Sequence, residues 1–281
     1  MRDVALFGAG QAGTMAVRLL SGEYRPICFI DNDNTRWNET FCELPILSPE
    51  EGLKQNPDCL CLCVVDERRA VQMEEQARDM GFTGEILRLN VLRAFDARAA
   101  TLRLLAGEIE ERAIPGDAAE LGVYRGDFAS LINLAFQKRT LHLFDTFKGF
   151  AEEDVQLERR LGLSRAEPGD FSETSVEAVR ARMSYPERVE FYEGHFPESF
   201  ARCPNVPFAF VSIDADLYTP TAAALPLFWG RLSPGGTMMI HDYNSAQFSG
   251  AGRAVREFCR KNNLYAVPVC DLHGSCVLIK P

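Results

Sequence analysis

The stretch that decides the fold is Ala118-Ala-Glu120-Leu-Gly122-Val-Tyr-Arg-Gly126-Asp-Phe-Ala129. A short apolar strand runs into two glycines spaced four residues apart, and a helical pattern follows directly. This order indicates the opening unit of a parallel α/β sheet. The helix near Gly126 offers unpaired backbone N–H groups to a carboxylate, and Gly122 lacks a Cβ that would collide with a ligand. Gly122 and Gly126 are therefore predicted to bind a ligand, although any α/β protein needs such a turn.

Strand–helix alternation continues from this stretch to the end of the chain. Strands are predicted at 118–124, 140–146, 189–194, 208–214 and 236–241. Helices are predicted at 127–137, 173–183, 219–231 and 250–262. The last two strands, 265–270 and 275–279, are separated by a short turn and are expected to pair antiparallel. The insertion 150–172 is expected to form a lid.

An aspartate ends the second of these strands, in Leu143-Phe-Asp145-Thr146. A carboxylate at the tip of a parallel strand can accept hydrogen bonds from both hydroxyls of a ribose. Capping of a nearby loop is the alternative. Because Gly122 and Asp145 follow consecutive strands, both are expected to line one crevice at the carboxyl edge of the sheet.

Ionisable residues follow two later strands, in Ser212-Ile-Asp214-Ala-Asp216 and Met239-Ile-His241-Asp242. Asp214 and Asp242 are expected at neighbouring strand ends, where two carboxylates repel each other unless a cation lies between them. Oxygen ligands with open positions suit Mg²⁺, and a bound cation would lower the pKa of a substrate hydroxyl. Caps and salt bridges at strand ends are the alternative, and Asp216 could equally cap the next helix.

Several linked motifs of the second half come in a family-specific order. Six segments resemble the macrocin O-methyltransferase family: His142–Phe150, Gly169–Ser175, Tyr192–Pro197, Ser212–Tyr218, Leu232–Gly236 and His241–Tyr243. The resemblance covers most of 117–281. It implies a class I methyltransferase domain, with a Rossmann-like α/β sheet and a terminal β-hairpin. It also implies S-adenosylmethionine, a magnesium ion and methylation of a deoxysugar hydroxyl.

The same resemblance distributes roles over the strand ends. Glu120, Gly122 and Asp145 fall on cofactor positions. Gly126, Thr146 and Gly194 are grouped with them as cofactor-binding residues. His195 is expected either to flank the adenine pocket or to be an ordinary surface histidine, and His273, in the last turn, is another candidate base.

Asp214 and Asp242 fall on metal positions, and one departure from the family lies beside them. Where the family pattern places an Asp–Asp pair before a tyrosine, this chain has His241-Asp242. His241 is predicted as a third metal ligand or as a base, so Asp214 and His241 are the predicted catalytic residues. An imidazole ligand would favour Mn²⁺ or a later metal over Mg²⁺.

The first 90 residues form a second α/β pattern. Gly8-Ala-Gly10-Gln-Ala-Gly13 follows a strand and opens a helix, and Asp31 ends the next strand, which satisfies the dinucleotide-binding pattern. About four strands are predicted, whereas a full dinucleotide fold has six. The segments 29–33 and 44–50 resemble the small Rossmann-like nucleotide-binding module of sugar-modifying and polysaccharide-biosynthesis proteins. NAD(P) or another nucleotide at this loop stays an open alternative, beside a docking or regulatory module.

These patterns predict three parts: a Rossmann-like module at 1–90, a connecting helix at 91–116 and a methyltransferase domain at 117–281. The chain of 281 residues carries a formal charge of −10, which disfavours a nucleic-acid partner. No secretory signal or apolar run of membrane length is found, and the nine cysteines lack Cys-x-x-Cys pairs. A cytoplasmic protein with reduced thiols is expected, and homo-oligomerisation is left open.

The leading hypothesis is a metal-dependent O-methyltransferase whose partner is a small sugar-like or glycoside substrate. One alternative is a regulatory protein that binds S-adenosylmethionine or a nucleotide with little catalysis. Another is an NAD(P)-dependent oxidoreductase that uses the N-terminal glycine loop. Cofactor binding without methyl transfer would favour the first alternative, and turnover with NAD(P) would favour the second.

Overall fold

The computed structural model describes residues 2–20, 24–88, 97–271 and 274–281. The chain divides into two compact units, Met1–Asp96 and Ala97–Pro281. The described part of the expected connecting helix therefore lies within the second unit. The start of that helix, 91–96, and the candidate base His273 lie outside the described residues.

The first unit is an α/β sheet. Its elements are β1 (Arg2–Phe7), α1 (Gln11–Leu20), β2 (Tyr24–Ile30), β3 (Thr40–Phe41), β4 (Leu44–Leu47), α2 (Pro49–Leu53), β5 (Cys59–Leu62), α3 (Glu67–Asp79) and β6 (Glu85–Arg88). The strand order is β3-β4-β2-β1-β5-β6, and only the β3–β4 pair is antiparallel among the described pairs. The prediction of about four strands was wrong because β3 has two residues and β4 contains Pro45, which weakens the strand pattern.

Local sequence explains the start of α2 and the packing of β5. The Ser48 hydroxyl accepts a hydrogen bond from the backbone N–H of Glu51 at 3.2 Å, so Ser48 is the N-cap of α2. Cys59, Cys61 and Cys63 are buried free thiols. Burial raises the pKa of Cys59 to about 11, which keeps that thiol protonated and unreactive.

The second unit is a larger α/β sheet. Its elements are α4 (Ala97–Glu111), β7 (Asp117–Leu121), α5 (Asp127–Ala135), β8 (Leu141–Asp145), α6 (Glu152–Leu161), α7 (Val176–Arg180), β9 (Val189–Glu193), β10 (Phe208–Ile213), α8 (Tyr218–Arg231), β11 (Leu232–Ile240), α9 (Ser249–Asn262), β12 (Val267–Pro268) and β13 (Cys276–Ile279). The strand order is β12-β13-β11-β10-β7-β8-β9. The pairs formed among strands β7 to β11 are all parallel. Strand β13 is antiparallel to both β11 and β12, so the predicted terminal hairpin is confirmed.

Helices cover both faces of this second sheet. Helices α4, α5 and α7 contribute buried residues such as Leu102, Ile132 and Val179 to one apolar cluster. Helices α8 and α9 contribute Phe228 and Val255 to the cluster on the other face. Helix α4 is thus part of the core rather than a free connector. Helix α6 forms inside the insertion predicted as a lid.

The carboxyl ends of the parallel strands are aligned by backbone hydrogen bonds that extend one residue past each strand. The N–H of Gly122 donates to Phe144 at 3.0 Å, that of Asp214 to Leu121 at 2.8 Å, and that of His241 to Ile213 at 2.8 Å. Residues that follow β7, β8, β10 and β11 therefore lie side by side. Separately, no helix in the described part of the chain combines the length and apolarity needed to cross a bilayer.

Candidate functional site

The first loop of the second unit makes close contact with the chain after β10. Gly122 has φ +81°, and a Cβ built there would lie 1.9 Å from the carbonyl oxygen of Asp214. Glycine is therefore required by this intramolecular approach. This approach is a second reason for glycine here, beside the predicted contact with a ligand, which stays a prediction. The loop ends at the N-terminus of α5, where Gly126 with φ +78° is the N-cap.

Asp145 fixes the shape of that loop. Its Oδ2 accepts hydrogen bonds from the backbone N–H groups of Val123 at 2.6 Å and Tyr124 at 2.9 Å. Its Oδ1 accepts one from Phe147 at 2.7 Å. A carboxylate offers about four acceptor sites, so capacity remains for a ribose hydroxyl. The loop-capping alternative is thus observed, and it is compatible with a role in ligand binding.

Glu120 lies inside the sheet beneath this loop. It is 1% exposed, and its Oε1 accepts a hydrogen bond from the Ser212 hydroxyl at 3.2 Å. Within the described chain, its Oε2 has no hydrogen-bond partner. Burial raises the pKa of Glu120 to about 8. A buried carboxyl group with an unsatisfied oxygen fits a cationic group of a ligand better than an apolar one.

Three of the predicted cofactor residues line one cavity. A cavity of about 450 Å³ is bordered by Thr146, Gly194 and His195, at the ends of β8 and β9. His195 contacts Asp154 of α6 at 2.8 Å and Glu198 at 3.1 Å. Burial opposes the charged imidazole, but these carboxylates outweigh it and raise the pKa of His195. His195 thus lines the cavity and also anchors α6.

Asp214, His241 and Asp242 form what we term the acidic centre. Each offers one ligand atom, and these atoms lie within 4.8 Å of one another. The His241 Nδ1 is 2.8 Å from Asp214 Oδ1 and 3.0 Å from Asp242 Oδ2. Two carboxylates and one imidazole at this spacing fit a divalent cation, and the imidazole suits Mn²⁺ or later metals as well as Mg²⁺.

In the acidic centre, neighbouring charged groups shift the pKa values of His241 and Asp214 more than burial does. Burial opposes a charged His241, but Asp214 and Asp242 outweigh it and raise the pKa of His241 to about 10. Burial would raise the pKa of Asp214, but His241 and Arg98 hold it well below its usual range. In the metal-free chain at neutral pH, His241 is therefore a cation paired with Asp214.

Asp216 lies beside the acidic centre and does not cap α8. Helix α8 has Leu217 as its N-cap, without a side-chain cap hydrogen bond. Burial and the neighbouring carboxylates of Asp242 and Asp214 raise the pKa of Asp216 well above its usual range. Asp216 and Asp242 both adopt left-handed backbone conformations, at φ +56° and +54°. Such conformations are costly for non-glycine residues and concentrate at functional sites.

Arg98, in the first turn of α4, was not predicted. Its Nη1 lies 2.9 Å from Asp214 Oδ2, and its side chain is 12% exposed. The two residues are 116 positions apart in the chain. No local pattern marks this contact, because it depends on α4 packing against the sheet.

The N-terminal glycine loop has its own geometry. A Cβ at Gly13 would lie 2.4 Å from the Gly8 carbonyl oxygen, whereas one at Gly10 would meet no atom of the described chain within 4 Å. Asp31 Oδ2 accepts a hydrogen bond from the backbone N–H of Ala9 at 2.8 Å. A Cβ at Gly8 would lie 2.9 Å from the carbonyl oxygen of Cys63, so two of the three glycines are explained by close contacts within the unit. Gly10 faces open space.

The second unit has the sheet of a class I S-adenosylmethionine-dependent methyltransferase: five parallel strands, one antiparallel strand inserted beside β11, and a glycine loop after the central β7. The family described as Macrocin-O-methyltransferase (TylF) matches residues 65–280. The chain belongs to this family. The match includes the end of the first unit, so the family region is longer than the predicted domain at 117–281.

Named relatives are similar to the chain over about half of its length. Mycinamicin III 3''-O-methyltransferase from Micromonospora griseorubida is 31% identical over 142 residues, 46% of this chain and 56% of that protein. A second relative, from Streptomyces olivaceus, is 30% identical over 142 residues, 46% of this chain and 54% of that protein. It is named 8-demethyl-8-(2,3-dimethoxy-alpha-L-rhamnosyl)-tetracenomycin-C 4'-O-methyltransferase. The chain thus spans about half the length of these relatives.

A solved structure has the same fold. The O-methyltransferase NovP superimposes with a TM-score of 0.52 at 23% identity, covering 66% of this chain and 79% of NovP. This likeness confirms the predicted α/β methyltransferase fold.

Proposed function

We propose that the chain transfers a methyl group from S-adenosylmethionine to a hydroxyl oxygen of a sugar or glycoside. The observation that carries this proposal is the alignment of the loop after β7, Asp145 and the acidic centre at one edge of the sheet. Two relatives named for methylating a sugar of a glycosylated compound support the substrate class.

We propose that a divalent cation, Mg²⁺ or Mn²⁺, is held by Asp214, His241 and Asp242. When bound, it would lower the pKa of the acceptor hydroxyl and stabilise the oxygen nucleophile. These ligands follow β10 and β11, whereas Asp145 is the last residue of β8. The cation and the cofactor would therefore be held by different residues and could be removed independently.

The residues of the chain then have separate tasks. Asp145 accepts the ribose hydroxyls while it holds the Val123–Tyr124 backbone in place. The N-terminus of α5 receives the carboxylate of the cofactor, and Glu120 faces its ammonium group. In the transfer, the bond from sulfur to the methyl carbon would break as the bond from oxygen to carbon forms, and S-adenosylhomocysteine would leave. The hydroxyl proton would pass to a base, for which deprotonated His241 is a candidate, or to solvent water.

His241 has three candidate roles, as metal ligand, general base or structural residue. A protonated His241 cannot accept a proton, so a role as base requires that it first lose the proton that Asp214 and Asp242 stabilise. A ligand role requires the same loss, so metal binding should release a proton and weaken as pH falls. His241→Asp should keep activity with Mg²⁺ if His241 is a ligand, and should depress the rate by about 10²–10⁴-fold if it is the base.

Chelation separates the metal proposal from the cofactor proposal. Methyl transfer from labelled S-adenosylmethionine to a panel of rhamnosides and other glycosides is measured with Mn²⁺ and after EDTA treatment. We expect EDTA to abolish transfer and to leave the affinity for S-adenosylhomocysteine, measured by calorimetry, nearly unchanged. Full activity after thorough chelation would contradict the metal role, and absence of S-adenosylhomocysteine binding would contradict the methyltransferase assignment.

A second candidate function concerns the first unit, which we propose to be a non-catalytic module able to hold a nucleotide. The open space beside Gly10 favours this reading, since nothing inside the described chain requires glycine there. Calorimetry with NAD and NADP tests it. Binding that is lost in Gly10→Val would support a nucleotide at this loop, and binding accompanied by hydride transfer would favour the oxidoreductase alternative. No heat of binding would leave docking as the role of this unit.

A further inference from the structure

Arg98 is a buried cation placed against the acidic centre. Its Nη1 donates to Asp214 Oδ2 at 2.9 Å, and its Nη2 lies 3.5 Å from the Ser212 hydroxyl. The guanidinium carbon is 3.8 Å from the centre of the Phe128 ring, so the group is stacked on an aromatic face. Such a position holds the charge away from water and makes its interaction with Asp214 strong.

Both oxygens of Asp214 are already engaged in contacts. Oδ1 contacts His241, and Oδ2 contacts the guanidinium of Arg98. A divalent cation ligated by Asp214 would lie a few ångströms from the guanidinium. Two positive charges at that separation repel each other strongly where water is scarce. The contact of Arg98 with Asp214 and coordination of a metal by Asp214 are therefore in conflict.

A second acidic side chain, Glu120, lies near the guanidinium on the other side of Ser212. The Ser212 hydroxyl is hydrogen-bonded to Glu120 at 3.2 Å and also approaches Arg98. Glu120 Oε2 and Arg98 Nε both lack a hydrogen-bond partner among the described residues. A short movement along Ser212 would exchange Asp214 for Glu120 as the partner of Arg98 and would satisfy polar atoms that are now unpaired.

We propose that Arg98 is an internal counter-ion that competes with the divalent cation for Asp214. Without metal, it neutralises the acidic centre, and metal binding displaces it toward Glu120. Arg98 thus sets the metal affinity of the site without being a ligand. This proposal rests on the proposed metal site, and its prediction has a distinctive sign: removal of a competitor strengthens metal binding, whereas removal of a structural support weakens it.

The experiment is a calorimetric titration of Mn²⁺ into the chelated full-length chain, repeated by electron paramagnetic resonance of free Mn²⁺. Arg98→Met keeps an apolar stem against Phe128 and removes the charge, and it should raise Mn²⁺ affinity about tenfold or more. Arg98→Gln, a second variant in case the first does not fold, should do the same. Arg98→Lys keeps the charge and should stay close to the wild type.

Arg103 supplies the matched control, since it is an exposed arginine on the same helix. Arg103→Met should leave Mn²⁺ affinity within about twofold, because an exposed charge is screened by solvent and salt. Unchanged or weaker Mn²⁺ binding in folded Arg98→Met and Arg98→Gln, with normal binding in the wild type, overturns this proposal alone. Absence of Mn²⁺ binding in the wild type and in all variants overturns the proposed metal site with it.

Discussion

The two units build their first strand–helix junction in the same way. Each has a strand, a glycine turn and a helix, and in each the aspartate that follows the next strand accepts a hydrogen bond from the turn. Asp31 accepts from Ala9 at 2.8 Å in the first unit. Asp145 accepts from Val123 at 2.6 Å in the second. A glycine turn with an acidic partner is therefore a way of building a strand–helix junction and does not by itself identify a reaction.

The units differ in what the neighbouring strands bring to that edge. In the first unit, β5 lies beside β1 and is followed by Cys63 and by Asp66, which caps α3 through the backbone N–H of Arg69. In the second, β10 and β11 end in the acidic centre, the metal-type cluster found among the described residues. We therefore expect the strands next to the glycine turn, rather than the turn itself, to determine the chemistry.

The largest effect is expected at the acidic centre. Asp214→Asn should lower kcat for methyl transfer by about a hundredfold or more, because a bound cation supplies several kcal/mol of charge stabilisation. Affinity for S-adenosylhomocysteine should change little. Glu111→Gln, at an exposed carboxylate at the far end of α4, is the control and should be unaffected. A kcat within threefold of the wild type in Asp214→Asn would show that the acidic centre, which distinguishes the second unit from the first, does not contribute to catalysis.

The two aspartates that follow the second strand of each unit can be compared directly. Asp145→Ala should reduce affinity for S-adenosylhomocysteine by about 1–3 kcal/mol, the range for a lost charged hydrogen-bond partner. Asp31→Ala should leave that affinity unchanged. Calorimetry on both variants, with melting curves to verify folding, makes the test. Equal losses in the two variants would mean that the cofactor is not confined to the second unit.

A smaller effect is expected at His142, which lies near the amino end of β8 in the second sheet. Burial opposes a charged His142, but its hydrogen bonds to Asp117 and Cys203 outweigh this and raise its pKa to about 9. Since an unfolded histidine titrates near about 6.5, this stabilisation is complete below that pH and is lost as pH rises through about 9. The free energy of unfolding should fall by about 1–3 kcal/mol over that interval.

His142→Gln removes this titration. Its unfolding free energy, measured by urea denaturation from pH 6 to pH 10, should vary less with pH than that of the wild type. Parallel pH profiles for the two proteins would remove His142 as the source. Methyl transfer at a fixed pH should be nearly the same in both proteins. His142 lies near the start of β8, whereas the acidic centre lies past the carboxyl ends of β10 and β11.

The smallest effect is expected from removal of the first unit. A chain shortened to residues 91–281 should fold and bind S-adenosylhomocysteine within about twofold of the full chain, since the loops proposed to contact the cofactor belong to the second unit. Calorimetry and a melting curve test this. Aggregation or lost binding would show that the two units fold cooperatively, which would agree with the family match beginning at residue 65.

The sequence is informative where chemistry follows an apolar strand. Asp145, Asp214 and His241 could be predicted because parallel strands end at one edge, and residues just past those ends must meet. The reason for Gly122 could not be predicted, because it depends on the carbonyl of Asp214, 92 positions later in the chain by residue number. Arg98 could not be predicted for the same reason, since its partner Asp214 is 116 positions away in the chain.

Helix α6 shows a second limit. Its sequence is rich in charge, so the insertion 150–172 gives only a lid prediction. The helix is fixed by contacts made in the folded chain, including Asp154 with His195 at 2.8 Å and Glu158 with the backbone of Tyr218 at 2.5 Å. Buried carboxylates on a charged helix are read from sequence as solvated surface, so these anchors became apparent only in the structure.

The most direct test of the account is a crystal structure of the full chain grown with S-adenosylhomocysteine and Mn²⁺. The account predicts the ribose against Asp145 and one anomalous manganese peak among Asp214, His241 and Asp242, with Arg98 withdrawn from Asp214. Cofactor bound over the Gly8–Gly13 loop, or manganese bound away from the acidic centre, would contradict it.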